Sequence, residues 1–192
     1  MAMIAIPVPN NVGRMFRAID VPGERDPSDH ITMFYLGDNV SVDKLTRIIP
    51  VIFKVTEALD PFLVTCKRIS TFPKNDDRHS SDSSNGYPVI AQVESPLLHE
   101  IRSKLKRAFD SKGIEYNNKY PEYKPHVTLS YSKKKPKNIR LPKTQWLVNE
   151  IALFGGDNSD ERLYVSFPLG LKIIERKAEY IDALAGLYKS SV

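Results

Sequence analysis

Two of the four histidines stand in the same four-residue setting, His30-Ile31-Thr32-Met33 and His126-Val127-Thr128-Leu129. Both read His, apolar, Thr, apolar. In an extended strand, residues i and i+2 point to one face. Each tract therefore sends an imidazole and a hydroxyl out together. Ile31, Met33 and Tyr35 go to the other face, as do Val127, Leu129 and Tyr131. With four His and seven Thr in 192 residues, about 0.15 His-x-Thr matches are expected by chance, so two with matching spacers are a signal.

The chemistry such a pair suits is the breaking or closing of a phosphodiester at a ribose hydroxyl. One proton must be removed and one donated, and an imidazole does either near neutral pH. The two threonine hydroxyls can donate hydrogen bonds to the non-bridging phosphate oxygens, where negative charge sits in the transition state. This chemistry requires no metal and no cofactor. A histidine-only metal site competes with it, but no Asp or Glu shares the pattern as a further ligand. The bland alternative is a pair of half-buried strand histidines bonded to their neighbours.

Strict alternation adds Phe34 and Ser130 to the histidine face, Phe34 as a surface for a base or as plain packing. Tyr123 lies just before the second motif as a candidate lining residue. Trp146, the only tryptophan, reads as core anchor or as ligand stacker. Glu150 either orients a histidine or is an exposed strand residue. His79, with Arg78 in a Ser/Asp-rich tract, reads as part of a surface loop or a lid. His99 reads as a solvent-facing helix residue.

The elements that position these groups follow from turn residues and apolar spacing. Strands are expected at Ile4–Val8, His30–Leu36, Phe62–Ile69, Val89–Val93, His126–Tyr131, Trp146–Phe154 and Arg162–Phe167. Helices are expected at Val42–Leu59, capped by Ser41 and interrupted by Pro50, and at Pro96–Ser111 with Gly113 beyond its end. A further helix spans Lys172–Tyr188. Residues 74–88 and 155–160 read as loops. The mixed order, without regular β-α alternation, argues for an α+β fold of mainly antiparallel sheet. No Gly-rich phosphate loop appears.

The composition, 41% hydrophobic and 27% charged, is that of a globular chain. Cys66 is the only cysteine, so an internal disulfide is excluded and a reducing, cytoplasmic setting is expected. No membrane-spanning run and no signal-peptide pattern is present. The net charge of +5 suits an anionic ligand. Lys133, Lys134, Lys135, Lys137 and Arg140 form a local cluster that also reads as a solvated loop.

Taken together, His30-x-Thr32 followed by Phe34-Tyr35-Leu36-Gly37, and Lys124-Pro125-His126-x-Thr128-Leu129, resemble the two-histidine phosphoesterase superfamily, which includes the RNA 2',3'-cyclic phosphodiesterases also called 2'-5' RNA ligases. The resemblance runs over about Ile4 to Gly170. It implies two pseudo-symmetric α+β lobes around a cleft, with helices on the outer faces, within one domain of residues 1–170 followed by a helical extension of 171–192. It implies that His30 and His126 act as acid and base and that Thr32 and Thr128 bind phosphate. It implies a nucleotide or RNA-end substrate: a 2',3'-cyclic end, a 2'-5' link or a cyclic oligonucleotide. The approach Tyr120-Pro121-Glu122-Tyr123-Lys124-Pro125 departs from the Arg-Pro of many bacterial members. The segment Val21–Asp29 looks more like members from phages, some of which cleave cyclic nucleotide signals of bacterial defence. A non-catalytic nucleotide-binding module, or an accessory of a larger assembly, is the alternative. Oligomeric state is not legible.

Overall fold

The apolar residues after Met1 build β1 (Ala2–Pro7), buried along nearly its whole length. In the computed structural model, which describes residues 1–38, 40–73, 86–118, 122–136, 139–155 and 163–170, there follow α1 (Asn10–Ala18), β2 (Glu24–Arg25), β3 (His30–Gly37), α2 (Val42–Thr56), β4 (Phe62–Thr71), β5 (Tyr87–Glu94), α3 (Pro96–Ser111), β6 (His126–Ser132), β7 (Thr144–Val148), β8 (Glu150–Gly155) and β9 (Leu163–Pro168). The strands form one antiparallel sheet in the order β7-β4-β5-β6-β3-β1-β8-β9, with β2 paired to β6. Among the described residues no helix is long and apolar enough to cross a membrane.

The sheet divides into two halves. One contains β4, β5, β6 and β7, the other β1, β3, β8 and β9. They meet where Ile31 of β3 faces Val127 of β6. Beyond that contact β3 and β6 diverge, and β2 takes the vacated edge, Glu24 opposite Tyr131 and Arg25 opposite Ser130. β7 and β8 are separated by Asn149 alone, yet lie near opposite ends of the strand order. The sheet must therefore curl until its two ends approach. Leu169 N–H donates to Asn149 C=O at 2.7 Å and fixes that corner.

The outer face is apolar. Ile4, Ile31, Val89 and Val127 join Leu45, Ile48 and Ile52 of α2 and Leu98, Ile101 and Leu105 of α3 in one core. Ser41 caps α2, its hydroxyl accepting from Lys44 N–H at 3.3 Å. Met3, Ala5, Ile90 and Ala152 are also buried but stand apart from that core. By alternation they floor the inner, concave face.

Three features depart from the sequence-based expectation. The tract Trp146–Phe154 is two strands, because the chain changes partners at Asn149, from β4 to β1. α1 was not expected: it buries only Val12, Gly13 and Phe16, too short a stripe to show as periodicity. β2, two residues long, has no pattern of its own. The expected terminal helix Lys172–Tyr188 lies outside the described residues. So do His79 and Arg78, Lys137, Tyr120 and Pro121, and residues 156–160 of the expected turn.

β2 depends on Gly23. Its φ is +93°, and a Cβ there would lie 2.1 Å from Tyr131 C=O. Only glycine allows this close approach at this dihedral. Gly23→Ala is expected to destabilise the fold by about 2 kcal/mol or more, read as a lower urea midpoint at unchanged slope.

Candidate active site

β3 and β6 carry the same irregularity. Ala5 faces Thr32 while Ile4 faces Phe34, leaving Met33 as an extra residue. Ile90 faces Thr128 while Val89 faces Ser130, leaving Leu129 extra. A bulge one residue past each threonine reverses the alternation. The result is one burial pattern in both strands: half-buried, buried, half-buried, buried, buried, half-buried, buried. Each bulge carbonyl finds a donor outside the sheet ladder. Arg102 Nε of α3 donates to Met33 C=O at 3.1 Å, and Asp26 N–H donates to Leu129 C=O at 3.2 Å.

Before the bulges the register brings the two motifs together. Ile31 faces Val127, so one step either way sets His30 opposite Thr128 and Thr32 opposite His126 on one face. The four half-buried side chains form two crossed His-Thr pairs. The imidazoles are close enough that charge on His30 disfavours charge on His126.

Both rings are tethered two residues upstream. His126 Nδ1 lies 2.6 Å from Lys124 C=O. A carbonyl only accepts, so Nδ1 carries the proton and Nε2 is left free. His30 Nδ1 lies 3.2 Å from Ser28 Oγ. That hydroxyl donates to Asp26 Oδ1 at 3.1 Å, and the same carboxylate oxygen accepts from Ser28 N–H at 2.9 Å. With its own proton committed to Asp26, Ser28 Oγ accepts from His30 Nδ1–H. The Ser28 backbone carbonyl also accepts from the His30 ring. Burial pushes both imidazoles below the usual 6.5. It is opposed at His30 by Asp26, the Ser28 backbone carbonyl and Asp29, and at His126 by the Lys124 carbonyl. Asp29 is ion-paired with Arg17 of α1. The segment is anchored further by Arg25, whose guanidinium binds the carbonyls of Phe16, Arg17 and Ile19 at the end of α1.

Of the remaining described candidate residues only Glu150 shares this face, at its edge. Phe34 and Ser130 follow the bulges into the buried side: Phe34 is 2% exposed, packed on Phe109 and Tyr116, and Ser130 is fully buried and donates to Pro22 C=O at 2.8 Å. Tyr123 packs under Arg102, its hydroxyl donating to Met33 Sδ at 3.1 Å, on the core side. Trp146 is a core residue set edge-on to Phe16 at 6.2 Å. Glu150 stands half-buried on β8 and accepts from Ser166 Oγ. His99 is exposed beside Tyr123.

Other residues arrive instead. Tyr35 and Tyr131 return to the histidine face after the bulges, both half-buried. Phe72 meets His126 edge-on at 4.7 Å between centroids, and Phe154 lies 6.4 Å from His30. Gln92 faces His126 on one side and Arg68 on the other, and Arg68 Nε donates to Gln92 Oε1 at 2.7 Å. None of these is marked by local sequence. Only the Ser28-x-His30 and Lys124-x-His126 spacing was available as a signal for the tethers.

A curled antiparallel sheet in two matching halves, with an opposed pair of His-x-Thr strands between them, defines a 2'-5' RNA ligase-like phosphoesterase. The family model of the 2'-5' RNA ligase superfamily matches residues 17–160, and the chain belongs to that superfamily. Its fold is similar to TT0787 of Thermus thermophilus (TM-score 0.65, 16% identity, 88% of this chain and 97% of that one). It is similar also to a structure described as a phosphoesterase (0.63, 15%, 88% and 98%) and to E. coli LigT complexed with 3'-AMP (0.61, 16%, 88% and 98%). A search of curated protein sequences finds no match.

The tethers make a spectroscopic prediction. Above pH ~8, where both rings are neutral, imidazole nitrogen shifts are expected to show the Nδ1–H tautomer at His30 and His126.

Proposed function

We propose that the chain is a two-histidine phosphodiesterase acting at a ribose hydroxyl, with His30 and His126 as the proton-transfer pair and Thr32 and Thr128 as the phosphate grip. The observation that carries this reading is the crossed arrangement of the two motifs, in which the register sets each histidine opposite the other motif's threonine. A phosphate between the strands meets two hydroxyl donors and has an imidazole on each side.

The two imidazoles are not equivalent. They interact, so the first proton taken up belongs to the pair. It favours His30, which has the carboxylates of Asp26 and Asp29 nearby, whereas His126 has a neutral carbonyl. His30 is then the acid and His126 the base. The base takes the proton of the attacking ribose hydroxyl, whose oxygen bonds to phosphorus. The bond from phosphorus to the leaving oxygen breaks, and that oxygen takes the proton from His30. The product is a 2',3'-cyclic phosphate, which water opens with the two roles exchanged.

The substrates to test are nucleotides with 2',3'-cyclic ends, 2'-5'-linked oligoadenylates and cyclic di- and trinucleotides. The last group is included because Val21–Asp29 resembles phage members, for which a role against bacterial defence signals is the corresponding proposal. Turnover by EDTA-treated protein is expected for at least one class, with a loss of about 100-fold or more in His30→Ala and in His126→Ala. Nucleotide binding that persists in both variants, with no turnover in the parent chain, would favour a binding module instead.

Both pKa values lie below 6.5, so the singly protonated pair is most populated on the acid side of 6.5. The bell of kcat/KM against pH, which reports the free enzyme, is expected to peak there. Asp26→Asn removes the largest influence opposing burial at His30 and is expected to move the alkaline limb to lower pH. A peak on the alkaline side of neutrality would contradict the assignment.

A further inference from the structure

The two phenylalanines beside the histidines occupy matching places in the two halves. Ser70 faces Ile90, which faces Thr128, and Phe72 is two residues beyond Ser70. Ala152 faces Ala5, which faces Thr32, and Phe154 is two residues beyond Ala152. Both rings are half-exposed, and neither belongs to the core. Phe154 is continued outward by Tyr164, its cross-strand partner, at 5.1 Å between centroids and 49% exposed. Large aromatic rings left partly open beside a phosphate site are surfaces on which bases stack.

The flanks differ in charge. Beyond His126 lie Gln92 and exposed Arg68, joined by their hydrogen bond. Beyond His30, the place matching Arg68 belongs to Glu150, which accepts from Ser166 and lies against the Tyr164 hydroxyl. A second phosphate is attracted to the first flank and repelled from the other.

We propose that the cleft is built for a phosphodiester with a nucleoside on each side, the leaving nucleoside stacked on Phe154 and Tyr164, and the nucleoside bearing the attacking hydroxyl on Phe72 with its further phosphate toward Arg68. The inference rests on the catalytic reading above, which puts the base, and hence the attacking hydroxyl, on the His126 flank. For a 2'-5' link this places the 5'-side nucleoside at Phe72 and its 5'-phosphate at Arg68.

The test compares a 2'-5'-linked diadenosine, with and without a 5'-phosphate, against adenosine 2',3'-cyclic phosphate, which has no leaving nucleoside. In Phe154→Ala, the ratio of dinucleotide to cyclic-phosphate kcat/KM is expected to fall about tenfold or more. Phe154→Trp, which keeps a stacking face, is expected to restore it. The 5'-phosphorylated dinucleotide is expected to be favoured about fivefold or more in the parent chain, and Arg68→Gln is expected to erase that preference. An unchanged ratio in Phe154→Ala, with equal loss on both substrates or with none, would overturn the inference and leave the two-histidine mechanism standing. Silence of the parent chain on all three substrates would overturn the inference, and silence on cyclic di- and trinucleotides as well would sink the mechanism with it.

Discussion

The contact between Ile31 and Val127 is the joint on which the site depends. It is the place where the two halves of the sheet pair through β3 and β6. Because side chains alternate across a strand, fixing that one pair fixes the four residues around it. A slip by one residue would send an imidazole or a hydroxyl into the core. The register is held by the apolar residues that flank it. Ile31 and Val127 are fully buried among residues of both halves, and moving either outward would expose about 1.5–3 kcal/mol worth of side chain.

The bulges complete this arrangement. Without them Phe34 would stand in the cleft and Tyr35 in the core. With them, each strand turns its histidine and threonine to the inner face and Phe34 or Ser130 to the buried side. An extra residue leaves a carbonyl unpaired with the neighbouring strand, and a buried carbonyl without a donor is costly. The two halves solve this differently, one with a guanidinium from α3 and the other with the backbone of Asp26. The same half-burial that holds the rings also strips water from them, which lowers both imidazole pKa values and brings a neutral base within reach below neutrality.

The sequence carried the motifs because their chemistry is local: a histidine and a threonine two apart need nothing but an extended backbone. It carried α2, α3 and most strand positions because their apolar spacing is regular. The bulges were illegible, since Met33 and Leu129 are ordinary strand residues and nothing in their type forces an extra position. That one gap misplaced Phe34, Ser130, Tyr35 and Tyr131 together. Phe72, Phe154, Gln92 and Arg68 were illegible for another reason. They reach the histidines only through cross-strand pairing, at separations of tens of residues. The split at Asn149 was hidden because β7 and β8 are each rich in β-formers and nothing between them breaks the chain.

A site with twofold geometry has a difficulty of its own: two equivalent imidazoles have no reason to take different roles. On the proposed reading a grip on phosphate benefits from symmetry, and here the threonines, the bulges and the phenylalanines all repeat. Proton transfer needs a difference. The segment 20–29, between α1 and β3, would supply it, with anchors that have no counterpart among the described residues of the other half: Gly23 against Tyr131, Arg25 on the end of α1, and Asp26 reaching both Leu129 and Ser28. One residue, Asp26, thus supports the bulge of β6 through its backbone and the ring of His30 through its carboxylate. The segment that closes the gap between the diverging strands is therefore also the one that makes the two histidines unequal.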